Sequence, residues 1–197
     1  MVKMVLATHN PGKRTEWMAL LDGLELTLLL PSEIGFDDSV AETGDTYTEN
    51  ALIKARALCK ASGLPALADD SGLEVDALDG APGVRSARYR LGSDEVRYRA
   101  LLAALEGVPD DERTARFRCV AALVLPDGET HTTEGVCEGW ITHKPQGAKG
   151  FGYDPVFYIP SLDRTMAEIS QKQKNQISHR ARAARGMRRV MTELLDV

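Results

Sequence analysis

Asp69 and Asp70 stand side by side in Ala68-Asp69-Asp70-Ser71-Gly72, directly after the apolar run Leu64-Pro65-Ala66-Leu67-Ala68. Such a run is built for burial, and two carboxylates at its end cannot be buried without partners. Something positive belongs beside them, and a hard divalent cation that takes oxygen ligands is the simplest choice. Three further stretches supply what such a cation works on. A basic turn, Thr8-His9-Asn10-Pro11-Gly12-Lys13, follows the first apolar segment. An aromatic-glycine loop, Gly150-Phe151-Gly152-Tyr153-Asp154, comes late, and Ser178-His179-Arg180 opens the last helical pattern. Carboxylates, an anion-type turn, stacking rings and an arginine together point to chemistry on nucleotide phosphates.

Each group also has a plainer account. The turn over Thr8 and Lys13 can aim backbone N–H groups at an anion, with the following helix dipole and the Lys13 ammonium adding charge. It lacks the G-x-x-x-x-G-K-[ST] spacing of a Walker A loop, and a turn like this alone is more often an ordinary strand-to-helix connection. Successive side chains of an extended chain point to opposite sides, so one aspartate faces a cleft while the other braces the turn or caps backbone N–H groups. Phosphoryl transfer needs a carboxylate to take a proton from attacking water and a metal to neutralise phosphate charge. Glu42, in Ala41-Glu42-Thr43-Gly44, is the best-placed second acidic ligand; a solvated acidic turn is the alternative. Phe151 and Tyr153 offer rings for base stacking, worth roughly 1–3 kcal/mol per base, with Asp154 to accept ring N–H groups. A tight turn anchored by its aromatics explains the same residues. His179 and Arg180 sit in a helix's first turn, where the dipole disfavours cations, a position tolerable beside an anion or a carbonyl oxygen. The other arginines of that helix, with His131 and His143, read as solvated surface.

These groups need elements to hold them. Residues 4–8 read as a buried strand and residues 24–30 as a second, with a helix between them from Lys13 that carries Trp17, Leu20 and Leu21 on one face. Thr46-Tyr47-Thr48-Glu49 is a capping box, so a helix runs to about Ser62 with Gly63 after its end. Residues 65–69 and 73–78 are two strands around an Asp-Asp-Ser-Gly turn. Residues 80–90 are loop, and Ser93-Asp94-Glu95 starts an amphipathic helix. Residues 113–125 and 130–140 form a hairpin about Pro126-Asp127-Gly128. Residues 178–195 are a final helix with Ala184, Met187, Met191 and Leu194 on one side. Early βα units and a late hairpin make an α/β protein with a mixed sheet. No linker divides residues 1–197, so a single domain is expected.

Composition removes several classes. With 197 residues, 43% hydrophobic and 27% charged, the chain can bury a substantial core. A net charge of -5 argues against a general nucleic-acid binder, which carries a basic excess. Cys59, Cys119 and Cys137 form no C-x-x-C pair, so they read as reduced thiols packed as small hydrophobes. Met1 to Leu6 runs straight into a strand and a polar turn, unlike a signal peptide. No apolar run approaches the ~20 residues that span a bilayer. The expectation is a cytoplasmic protein with no membrane or nucleic-acid partner.

Eight stretches then fall into a known order: Leu6 to Lys13, Glu42-Thr43-Gly44, Glu49-Asn50-Ala51, Ala68 to Leu73, Gly80-Ala81-Pro82-Gly83-Val84, Ser86-Ala87-Arg88-Tyr89, Gly150 to Pro155 and Ile177-Ser178-His179-Arg180. Any one is weak; together they resemble the inosine triphosphate pyrophosphatase family, the Mg-dependent XTP/dITP diphosphatases, over nearly the whole chain. The resemblance implies an elongated mixed β-sheet with flanking helices, two lobes around a central nucleotide cleft, and a homodimer. It implies hydrolysis of ITP, dITP and XTP to the monophosphate and pyrophosphate, which cleanses the nucleotide pool, with Mg2+ as cofactor. By the same resemblance Asp70 is the general base and a metal ligand, and Glu42 is the second metal ligand. Thr8, His9, Asn10, Pro11, Gly12 and Lys13 bind the triphosphate, and Ser71 touches the substrate. Phe151, Gly152, Tyr153 and Asp154 hold the base, Lys174 is the substrate lysine, and His179 and Arg180 contact the purine. His9 departs from the pattern, since many members carry glycine there. Two other classes fit parts of the pattern. A non-catalytic nucleotide sensor needs Lys13, Phe151 and Arg180 but not the carboxylates, and a nucleic-acid binder would use the arginine-rich last helix.

Overall fold

The computed structural model describes residues 1–197. Its strands are β1 (Val2–Leu6), β2 (Leu26–Leu29), β3 (Ala66–Val75), β4 (Thr114–Val124), β5 (Thr130–Ile141), β6 (Phe157–Ile159) and β7 (Arg164–Thr165). They form one sheet in the order β2-β1-β3-β4-β5-β6-β7. β1 pairs in parallel with both β2 and β3, and parallel neighbours need long crossover connections. The helices α1 (Pro11–Leu20) and α2 (Tyr47–Ser62) supply them. β5, β6 and β7 pair antiparallel, so the sheet is mixed and the α/β class is as expected.

The chain divides into two compact units. One comprises residues 1–70, 119–135 and 180–197, the other residues 71–118 and 136–179, and the chain passes between them within β3, β4 and β5 and once more between His179 and Arg180. In the first unit Met4, Trp17, Leu67, Cys119, Leu123 and Met187 are core residues, the last on α5 (His179–Leu195). In the second, Leu73, Leu101, Phe117, Phe157 and Ile169 form the core, with α3 (Asp94–Ala104) and α4 (Gln171–Ile177). The cysteines are free and buried, as expected.

The structure departs from the sequence reading at four points. The two strands placed over residues 65–69 and 73–78 are one continuous strand, β3, and no turn interrupts Asp69-Asp70-Ser71-Gly72. α1 starts at Pro11 rather than Lys13, because the Asn10 side chain caps it by accepting the Lys13 N–H at 3.0 Å. Of the four residues on one side of the last helix, Ala184, Met187 and Met191 are buried and Leu194 is 38% exposed. α4 went unanticipated, although Ser170 and Gln173 form a reciprocal capping box at its start.

Candidate active site

β3 distributes its two aspartates to different neighbours, as the two-residue period of a strand requires. Asp69 is 2% exposed and surrounded by donors. Its Oδ2 lies 3.0 Å from Lys13 Nζ and 3.2 Å from Arg180 Nη2, and its Oδ1 accepts the Trp17 indole N–H at 3.1 Å. Burial alone would raise its pKa, but Lys13 and Arg180 outweigh that and hold the carboxyl well below the usual range. Arg180 also pairs with Glu16, and both are buried. Beside this cluster lies Cys119, whose Sγ is 3.7 Å from Asp69 Oδ2, and burial pushes that thiol far up.

Asp70 meets α2 instead. Asn50 Nδ2 donates to its Oδ2 at 3.2 Å, and Lys54 Nζ lies 3.6 Å from its Oδ1. The same Lys54 ammonium is 2.6 Å from Glu42 Oε1, so two carboxylates 28 positions apart face one cation. Burial raises the Asp70 pKa, and neighbouring Glu42 adds to the rise. Burial works against the charge on Lys54, but Asp70, Asp69 and Glu42 reverse that and raise its pKa.

The local sequence explains how α2 delivers these groups. Thr46 and Glu49 form the predicted capping box, which starts the helix one turn before Asn50. Asn50 and Lys54 then share one face at i, i+4 spacing. Asn50 is fully buried, and its Oδ1 accepts the Gly44 N–H at 2.9 Å. One amide side chain therefore ties the Glu42–Gly44 segment to Asp70. Residue 44 has no room for a side chain, since a Cβ there would lie 2.5 Å from Glu49 Cβ.

The second unit holds the aromatic loop. Asp154, 2% exposed, accepts the Phe151 N–H at 2.9 Å and pairs with Lys174 Nζ at 2.5 Å. The Lys174 ammonium also stands 4.7 Å from the centroid of the Phe151 ring. Tyr153 is buried, and its hydroxyl donates to the Ser86 carbonyl at 2.8 Å. Gly150 has φ +74, and a Cβ there would fall 2.0 Å from Asp154 Oδ2, so only glycine admits the Asp154 carboxylate. The His179 ring stacks on Phe117 at 4.8 Å, tilted by 15°.

The expected site residues thus fall into two groups. Within the first unit lie the turn from Thr8 to Lys13, with His9, Asn10 and Pro11 exposed and Gly12 half-buried, together with Glu42, Asp70 and Arg180. Ser71, Phe151, Gly152, Tyr153, Asp154, Lys174 and His179 belong to the second. Two differ in surroundings from what the sequence led us to expect. Arg180 serves the carboxylates of Asp69 and Glu16 and is 1% exposed, and the Asp154 carboxylate serves its own loop and Lys174. Sequence reasoning overlooked Glu16 and Lys54 and gave Asn50 no role. A signal existed for the last two, a polar pair one helical turn apart beside the apolar stripe of α2.

The match to known proteins is close and extends over the chain. Residues 4–190 match the model of the Ham1 family. A dITP/XTP pyrophosphatase of Bacillus subtilis is 44% identical over 193 residues, 97% of this chain and 98% of that protein. One from Geobacter sulfurreducens is 51% identical over 185 residues, 93% of each. The structure of a HAM1 protein from Coxiella burnetii superimposes with a TM-score of 0.89 at 46% identity, covering 98% of this chain and 100% of that one.

Proposed function

The chain belongs to the Ham1 family, and from that premise we propose that it hydrolyses the deaminated purine nucleoside triphosphates ITP, dITP and XTP to the monophosphate and pyrophosphate. One observation carries the reading: Glu42 and Asp70 converge on a single cation, the Lys54 ammonium. A point where two carboxylates already meet positive charge, lined by hard oxygen donors, fits Mg2+. Glu42 and Asp70 would hold it. When bound, the ion neutralises phosphate charge and stabilises the leaving pyrophosphate.

The chain's own groups do the rest. Asp70 is the proposed general base: its raised pKa suits a group that must accept a proton from the water attacking the α-phosphorus. As that water's oxygen bonds to phosphorus, the bond to the bridging oxygen breaks and pyrophosphate leaves. Asn50 keeps one Asp70 oxygen occupied and so fixes the direction of the other. Thr8, His9, Asn10, Pro11, Gly12 and Lys13 receive the triphosphate, with the Lys13 ammonium held in place by Asp69. Ser71 touches the substrate. Phe151, Gly152 and Tyr153 hold the base, while Asp154 and Lys174 act by shaping that loop. His179 and Arg180 are proposed contacts of the purine, and for Arg180 the base oxygen competes with the Glu16 carboxylate for the guanidinium.

A panel of purine triphosphates, incubated with Mg2+ or with chelator and scored for products, tests this. Pyrophosphate with the monophosphate, only when Mg2+ is present, is the expected outcome. Orthophosphate with a diphosphate would overturn the bond assignment, and tight binding with no turnover under any divalent metal would make the chain a nucleotide sensor. Residues 1–197 act in this reading as one pyrophosphatase domain of a cytoplasmic homodimer, which sedimentation of the purified chain checks for mass. No helix is long and apolar enough to cross a membrane.

A further inference from the structure

A carboxylate outside the residues assigned above reaches the aromatic loop from a distant element. Asp94 is the first residue of α3, where an acidic side chain ordinarily serves the helix N-terminus. Ser93 already caps that helix, its Oγ accepting the Val96 N–H at 3.4 Å. The Asp94 carboxylate has other partners. Its Oδ2 accepts the Gly152 N–H at 2.6 Å across 58 positions of sequence. Its Oδ1 pairs with Arg97, whose Nη1 donates to the Gly92 carbonyl at 2.7 Å, so the carboxylate is held from both sides.

Gly152 is the link between the two rings of the loop. Phe151 precedes it under the Lys174 ammonium, and Tyr153 follows it, fixed on Ser86. Gly152 itself has φ +64, a left-handed conformation that gives its peptide a particular direction. The N–H that Asp94 accepts belongs to the Phe151–Gly152 peptide, so α3 sets the orientation of the backbone that carries the Phe151 ring. A hydrogen bond to an ionised acceptor is stronger than one between neutral groups.

We propose that Asp94 is a positioning residue for base recognition, holding the Gly152 peptide and with it the Phe151 ring from the start of α3. The inference rests on the reading of the Phe151–Asp154 loop as the base site. In the purified 197-residue chain, Asp94→Ala is expected to raise KM for dITP about 10-fold, as loss of one charge-assisted hydrogen bond allows, with kcat within about 2-fold. Amide hydrogen exchange over residues 150–154 should quicken in the same variant. Asp94→Asn, whose amide oxygen still accepts, should restore most of both values. Asp94→Ser, a helix-compatible residue too short to reach Gly152, should follow the alanine variant and serves if that one folds poorly. Ser93→Ala weakens the cap of α3 without touching Gly152, so it should lower the melting temperature and leave KM alone.

Unchanged exchange in Asp94→Ala overturns the role of Asp94 directly. So does a Ser93→Ala variant whose KM rises as far, which would make helix capping the cause. Quickened exchange with unchanged KM overturns the proposal through the base-site reading instead. Wild-type turnover of dITP in the same assay separates both from a failure of the proposed reaction.

Discussion

The carboxylate of Asp69 lies between Lys13 and Arg180 and carries the Trp17 N–H as well. Asp69→Ala would leave buried Arg180 with Glu16 as its remaining carboxylate and take the carboxylate from half-buried Lys13, and breaking a buried pair from one side costs about 3–5 kcal/mol. Urea titration should show that loss as a lower midpoint. Acid should reveal the same interaction. Because the folded pKa of Asp69 lies below its ordinary value of 3.8, the unfolded chain binds more protons in the window between the two. The stabilisation is therefore present above pH ~4 and is lost as pH falls through the folded value. Asp69→Asn should be less stable at neutral pH and flatter against acid, measured by unfolding at a series of pH values. Asp70 has the opposite sign, since its raised pKa means that burial penalises the charged form. Asp70→Asn should accordingly keep or gain stability while kcat falls about 10²–10⁴-fold, the usual share of a general base. Nucleotide affinity, by calorimetry, should largely survive.

α2 is the element on which the acidic cluster depends, because Asn50 and Lys54 both belong to it. Thr46→Ala removes the cap one turn before Asn50 and should cost about 1 kcal/mol. If the cap also holds Asn50 against Gly44 and Asp70, the Mg2+ concentration for half-maximal rate should rise in the same variant, read from a metal titration of activity. This helix was legible in the sequence because everything that defines it is local: Thr46 and Glu49 at its start, Gly63 at its end. β3 was not. Asp69-Asp70-Ser71-Gly72 has the composition of a turn, and what keeps it extended arrives from far along the chain, as the flanking strands β1 and β4. Tertiary partners overrode a local propensity that is weak for strands in any case. The opposite-facing aspartates survived the error, since they follow from extended backbone alone. Asp94 illustrates a second limit. Its position at a helix start gave it a sufficient local explanation, and nothing nearby in sequence announces Gly152. α4 was within reach, because Ser170 and Gln173 carry the same reciprocal signature as Thr46 and Glu49, but its polar run offered no apolar period to confirm it.

For the molecule as a whole, the sharing of three strands between the two units decides how it unfolds. β3, β4 and β5 each contribute residues to both, so neither unit can lose its strands while the other keeps them intact. The two tryptophans fall one to each, Trp17 in the first and Trp140 in the second. Single-tryptophan variants, Trp17→Phe and Trp140→Phe, should give coincident fluorescence transitions in denaturant, the mark of two-state behaviour. Separated midpoints would show that the units melt independently. The three cysteines add a chronometer to this picture. Cys119 is wholly inaccessible, lies on a central strand and is disfavoured as a thiolate first by burial and then by the Asp69 carboxylate at its side. An alkylating reagent must wait for the sheet to come apart before it can modify that sulfur, so the pace of Cys119 labelling in the native enzyme reports how often a molecule visits the opened state.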